Sequence, residues 1–342
     1  MSIATPPVAP GRARAAQPTA WAKVVHARET PVTAVLVLVL VVTSVLNPRF
    51  LQGQGRIDLM VSVSITALLA VGQTFVIVMK HVDLSIGSTL GLAGFVAADV
   101  VGPGGSLIAI FAVACLVGLA VGLVNGVLVA TLRLPSLVVT LGTLYVVQGL
   151  LAVTASSRQV TQDQLPDSIV KLGETTLLGL PYLMWIAVIA AIIGGWYMRS
   201  RRPGRDLYAI GSNGPAALLV GIPVRRREVM AFAISGALAG IAGAMFLARF
   251  GGIDANAGLG YELPVIAACV VGGVSIAGGN GTILGAFVGA LLLRAIGGSL
   301  SALGVPEFWQ QAVNGSLLLL AITADRVASN RRERAAAREV VS

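Results

Sequence analysis

Two histidines, His26 and His81, two cysteines, Cys115 and Cys269, and three lysines, Lys23, Lys80 and Lys171, are what this 342-residue sequence offers of the side chains that most often attack, ligate or carry protons. They are scattered along the chain. No His-Glu-x-x-His, Gly-x-Ser-x-Gly or Cys-x-x-Cys spacing occurs, and no lysine follows a glycine as in a phosphate-binding loop. The cysteines sit inside apolar runs, with neither the spacing of a metal site nor the context of a disulfide, and read as small packing residues. The sequence therefore points away from an enzyme and from any cofactor or metal. If the protein moves something with ATP, the nucleotide site lies on another chain.

Ionisable groups in or beside apolar runs are the remaining source of chemistry: Asp83, Asp99, Glu262 and Arg294. Ion-coupled transport normally places such groups inside the membrane. All but Arg294 fall within a few residues of a run's end, where interfacial anchoring and helix capping need them equally. No carboxylate pair of the proton-relay kind is visible.

The elements that must hold these groups are apolar helices. Hydrophobic residues make up 56% of the chain and charged residues 11%, against roughly 25% charged in soluble domains. Half the usual charge implies lipid as the solvent for most of the surface. A spanning helix needs about 20 apolar residues. Ten runs qualify, near 31–47, 58–80, 84–101, 106–130, 135–155, 181–198, 229–250, 260–277, 282–300 and 308–325. Only "HVD" separates the second from the third, and "GGNG" the eighth from the ninth, so broken or re-entrant helices are expected among them. The fold class is all-α, a polytopic membrane helix bundle. Forty-one glycines fall repeatedly four apart, at Gly87/Gly91, Gly118/Gly122, Gly236/Gly240 and Gly281/Gly285/Gly289. That spacing lets a neighbouring backbone approach one helix face.

The net charge of +9 is not a nucleic-acid signature. Most basic residues lie at the ends of apolar runs, as the positive-inside rule places them, and no basic face is interleaved with aromatics. Residues 1–30 read as a disordered cytoplasmic tail without a secretory h-region, and 326–342 as a second cytoplasmic tail. Between them lies one membrane-spanning domain, 31–325, with the 199–228 loop on the same side as both termini. The polar 156–180 segment lies outside, as a connector or a docking surface.

The 199–228 loop is longer than a turn requires. Asn213 suits an N-cap, Pro215 the first turn, and Ala216 and Ala217 the helix that follows. Leu218, Leu219 and Val220 add an apolar face, and Gly221 with Pro223 stops the helix. Two readings are open on these features: a handle for a partner protein, or a helix on the membrane surface.

The Ala-Ala-x-x-x-Gly pattern at 216–221 resembles the coupling-helix motif of ATP-binding-cassette (ABC) importer permeases. Other blocks agree. "GQTFVIVMKHVDLSIGSTLGLAGFVAA" (72–98), "NGVLVATLRLPSLVVTLGTLYVVQGL" (125–150), "GLGYELPVIAACVVGGVSIAGGNGTILGAFVGALLL" (258–293) and "FWQQAVNGSLLLLAI" (308–322) are similar to segments of ribose/xylose/arabinose-type permeases. The sequence departs at Lys80-His81-Val82-Asp83, where Gly-Gly or Arg-Asn commonly precedes Ile-Asp, and at Gly214-Pro215, where an acidic residue is usual.

The resemblance implies a permease subunit of an ABC importer in the bacterial inner membrane. Its partners would be ABC ATPase subunits, a periplasmic sugar-binding protein and a second permease chain, identical or related. It also implies roles for residues. Asn213, Ala216, Ala217, Leu218 and Gly221 would form the ATPase contact, helped by Arg225, Arg226 and Arg227. Asp83, Ser85 and Ser88 would form a polar hinge. Asn125, Thr140 and Thr143 would line the pathway, unless they are helix-to-helix hydrogen bonds worth about 0.6–2 kcal/mol each. Tyr261 and Glu262 would receive the binding protein.

Overall fold

A computed structural model describes residues 30–306 and most positions from 308 to 323. The tails expected over 1–30 and 326–342 lie almost wholly outside the described residues. Within them, helices stand where the apolar runs predict. They are α1 (Thr30–Leu46), α2 (Gly53–Ile77), α3 (Ile86–Val101), α4 (Leu107–Leu132), α5 (Ser136–Ala155), α6 (Asp167–Glu174), α7 (Tyr182–Ser200), α8 (Arg202–Ser212), α9 (Gly214–Leu219), α10 (Val224–Phe250), α11 (Glu262–Val271) and α12 (Ile283–Ala302). The described residues from 308 to 323 are helical too. Among the described residues six helices, α2, α4, α5, α7, α10 and α12, are long and apolar enough to cross a membrane, while α1, α3 and α11 are apolar but shorter.

Burial sorts these helices. In α2 every residue from Val63 to Ile77 is buried, as expected of a helix apolar on all sides and enclosed by others. α5 instead exposes Leu137, Val138, Tyr145 and Val146. Large apolar side chains left outside on a long helix face lipid or another chain.

Glycine decides the closest packing. α4 and α10 share the most extensive contact in the bundle. A methyl on Gly118 would strike the Gly236 carbonyl, one on Gly122 the Phe232 carbonyl, and one on Gly240 the Ala114 carbonyl. Gly285 and Gly289 of α12 meet the Gly272 and Ala268 carbonyls in the same way. Of the spaced glycines noted in the sequence, Gly118/Gly122, Gly236/Gly240 and Gly285/Gly289 serve such seams.

Gly87, Gly91 and Gly94 of α3 do something different. They are covered by a non-helical ribbon, with Ile253, Ala257 and Gly258 as the neighbours a methyl would hit. The chain after α10 thus turns back into the bundle along α3 before α11 begins at Glu262. The expected continuous run over 260–277 is corrected: its helix covers only Glu262–Val271, and Gly272–Thr282 is irregular. Outside the long helices, the 156–181 segment folds into a cap. It holds α6 and a hairpin of β1 (Thr176–Leu177) and β2 (Leu180–Pro181), paired antiparallel with Leu177 opposite Leu180. Val160 and Ile253 exchange two backbone hydrogen bonds, which fasten the cap to the ribbon.

Candidate coupling and gating site

α9 is built as the sequence predicts at its start. The Asn213 side-chain oxygen accepts from the Ala216 N–H at 3.0 Å, satisfying one of the donors a helix start leaves free. Gly221 takes φ +78°, the left-handed conformation in which a helix stops and a side chain is strained. The face presented to solvent differs from the expected set. Ala217 is turned inward at 3% exposure, whereas Leu218, Leu219 and Val220 stand at 61%, 89% and 73%. Leu219, not Ala217, is the outermost apolar group.

The basic residues that follow also divide. Arg225 and Arg226 are exposed. Arg227 is held inside the chain, its Nε and Nη2 both on Asp206 Oδ2 at 2.9 and 2.8 Å. Two donors of one guanidinium on a partly buried carboxylate fix geometry as well as charge. Arg227, expected to help an acidic partner protein, is within this chain engaged by Asp206 and pins α8 to the start of α10. Next to it, His81 Nε2 lies 3.3 Å from Glu228 Oε1, joining the α2–α3 break to the same start.

α8 carries contacts that sequence reasoning missed. The Tyr208 hydroxyl donates to the Gly281 carbonyl at 2.9 Å. Burial pushes the Tyr208 phenol above its ordinary range, with Arg199 pulling the other way, so it stays a protonated donor at neutral pH. Gly211 has no room for a side chain, because a methyl there would collide with the Val78 carbonyl and crowd the Gly279 N–H. The Gly279 N–H itself donates to that Val78 carbonyl at 2.8 Å. α8 thus rests where the break after α2 meets the break after α11. Each break satisfies a backbone group of the other, as irregular backbone among apolar helices requires. Lys80 at φ +67° marks the first break, and four glycines of positive φ between Gly273 and Gly281 mark the second.

The six polar residues singled out between α2 and α5 are brought together. Asp83 Oδ1 accepts from the Ser85 N–H and hydroxyl at 3.0 and 2.7 Å, and its Oδ2 accepts from Ser235 of α10 at 3.2 Å. Asn125 of α4 donates to the Ser85 hydroxyl at 2.8 Å and accepts from Thr143 of α5 at 2.6 Å. Ser88 donates to the Ser85 carbonyl, and Thr140 to the carbonyls of Val82 and Ser136. Asp83, Ser85, Ser88, Asn125 and Thr140 are buried, and Thr143 is half-buried. A closed network of this kind rigidifies. Within this chain these groups brace the first break against three helices and face one another.

At the other end of the bundle Arg294 donates from Nε to Thr66 Oγ1 at 2.6 Å and lies 5.0 Å above the Tyr261 ring. Glu262 is only 8% exposed, packed on Gly87, with Oε1 lacking a hydrogen bond. In this chain the Glu262 carboxylate, expected to meet a protein docked outside, is not presented to solvent. Tyr261 is half-buried beneath Arg294.

The family described as branched-chain amino acid transport system / permease component matches residues 55–322. The chain belongs to that family. Within it, the chain is 37% identical over 327 residues to the L-arabinose ABC transporter permease protein AraH of Azospirillum brasilense, covering 95% of this chain and 94% of the relative. It is 36% identical over 311 residues to the autoinducer 2 import system permease protein LsrC of Klebsiella pneumoniae, covering 90% of each. It is 33% identical over 293 residues to the ribose import permease protein RbsC of Haemophilus influenzae, covering 85% of this chain and 90% of the relative. No solved structure matches the chain. This permease is therefore of the ribose/arabinose type of ABC importer subunit, a multi-pass membrane protein, and the alternative of an ion-driven transporter finds no support among its relatives.

Proposed function

We propose that this permease forms the membrane pathway for a monosaccharide, a pentose, rhamnose, another simple sugar or an autoinducer-like ribose derivative. A periplasmic binding protein delivers it, and a separate ATPase drives its import. Three relatives covered over most of their length carry arabinose, autoinducer-2 and ribose in their names, which favours a sugar over the amino acid of the family's description. The protein resides in the inner membrane with both termini cytoplasmic, spans it about ten times counting the broken segments, and works as a dimer with itself or a related chain.

One observation carries the mechanism: the exposed apolar face of α9 is linked by contacts, through Asn213 and α8, to both helix breaks. The ATPase grips Leu218, Leu219 and Val220, with Ala216 beside them and Arg225 and Arg226 at the edge. When the two ATPases close on ATP, α9 is displaced. The Arg227–Asp206 pair keeps α8 and the foot of α10 moving together, and Tyr208 and Gly211 pass the movement to Gly281 and Val78. The braced Asp83–Ser85–Asn125–Thr143 network turns as one piece at the first break, so the shift reaches α4 and α5. The protein breaks no bond; its work is a change of access.

Reconstitution tests this. Vesicles holding the permease with its ATPase should import radiolabelled sugar only when the binding protein is outside and ATP inside. Uptake by the permease alone on an ion gradient would overturn the reading. Thermal shift of the binding protein against a sugar panel names the substrate.

A further inference from the structure

A groove of about 980 Å³ runs between α7 and α12 and ends at α8. Its walls are apolar, formed by Ile192 and Trp196 on α7 and Leu284 and Phe287 on α12, and three of these four remain exposed. Its α8 end is cationic. Arg199 and Arg205 line it beside Tyr208 and the backbone of Asn280–Thr282, which leads into α12. Arg205 Nη1 donates to the Ser200 carbonyl at 2.8 Å and the Arg199 carbonyl at 3.5 Å, which anchors the side chain and leaves Nε and Nη2 without a protein partner among the described residues. Among the described residues neither arginine is in an ion pair. Arg201 stacks 4.6 Å above the Trp196 ring, holding the indole at the edge of the groove, the amphipathic position tryptophan takes at a membrane surface.

We infer that this groove binds an anionic phospholipid of the leaflet on the α8 side, with an acyl chain between α7 and α12 and the headgroup phosphate between Arg199 and Arg205. The charge is complementary and sits at one end only, as in a phospholipid. A free phosphate would occupy that end and leave Ile192, Leu284 and Phe287 unfilled. Basic pockets between spans on the cytoplasmic side suit acidic headgroups, each arginine adding to the preference. The bound lipid touches α12 one turn from Gly281 and α8 at Tyr208, so it lies beside the second break. The inference requires the bilayer and the sidedness assigned to α8 and is independent of which solute is carried.

The test is native mass spectrometry of the full-length permease in mild detergent, titrated with equal phosphatidylglycerol and phosphatidylcholine. Phosphatidylglycerol should be retained in preference by roughly tenfold. Arg199→Gln with Arg205→Gln should abolish the preference, and Arg199→Lys with Arg205→Lys should keep most of it. Arg225→Gln with Arg226→Gln, an equal loss of charge away from the groove, should leave it intact, which separates a site from general attraction. Equal retention of the two lipids, a preference surviving the glutamine pair, or its loss in the distant pair would overturn the proposal. So would displacement by millimolar inorganic phosphate, or a disulfide between two copies formed through Ile192→Cys, which would show another occupant.

Discussion

Asn125 shows what a single polar side chain does in this bundle. Its amide spans from Ser85 at the first break to Thr143 on α5. Replacing it with leucine removes both bonds and takes the acceptor of the Thr143 hydroxyl, while the Ser85 hydroxyl keeps its bond to Asp83. We expect Asn125→Leu to cost about 1–2 kcal/mol, read as a lower melting temperature in detergent. Thr154→Val, whose hydroxyl bonds only to its own helix, should melt like the parent. Leu219 is the opposite case. At 89% exposure it supports nothing inside the chain, so Leu219→Asp should leave the melting temperature unchanged. Its affinity for the ATPase should fall by tenfold or more, as at other buried interface anchors, measurable by co-purification at graded concentrations. The sequence made Asn125 and Thr143 legible, because amide and hydroxyl groups on apolar helices need partners. The apolar face of Leu218, Leu219 and Val220 was legible too, but the inward turn of Ala217 was not: a six-residue helix is too short for periodicity to say which side faces in. The Arg227–Asp206 and Glu262–Gly87 contacts were equally hidden, since they depend on how separate elements pack.

The elements are governed by close approach. The α4–α10 seam has no room for a side chain at Gly118, where carbonyl and amide groups of Gly236 and Gly240 lie against the α-carbon. Gly118→Val should cost at least the 1–3 kcal/mol typical of overpacking and lower both yield and melting temperature. Gly142 on α5 has nothing within 4 Å, so Gly142→Val should be tolerated by the isolated chain. Equal behaviour of the two variants would contradict the seam. This level was largely readable beforehand, because helix pairs in lipid approach through residues four apart. The breaks were half-readable: "HVD" and "GGNG" marked them. The ribbon from Ile253 to Tyr261 was not, because apolar and glycine-rich stretches look alike whether they form a helix or lie extended along one.

At the scale of the molecule, the family was readable from blocks spread over most of the chain, and the comparisons agree across residues 55–322. What no block contained is the route from the α9 handle to the interior. The structure supplies it as a short set of contacts: Asn213 to α9, Arg227 to Asp206, Tyr208 to Gly281, and Gly211 against Val78. In the proposed coupling, two discontinuities placed under one short helix would give the ATPase a single point from which to move both. A uniformly packed bundle would resist such a displacement, whereas a bundle with braced breaks moves in pieces.

The most direct measurement is the number of sugar molecules imported per ATP hydrolysed by the complete transporter in vesicles, with Gly211→Ala in this chain. The account predicts that the altered permease still co-purifies with its ATPase and hydrolysis persists, while import per ATP falls by tenfold or more. An unchanged ratio would mean that α8 does not transmit the ATPase's movement, and the proposed coupling route would be wrong.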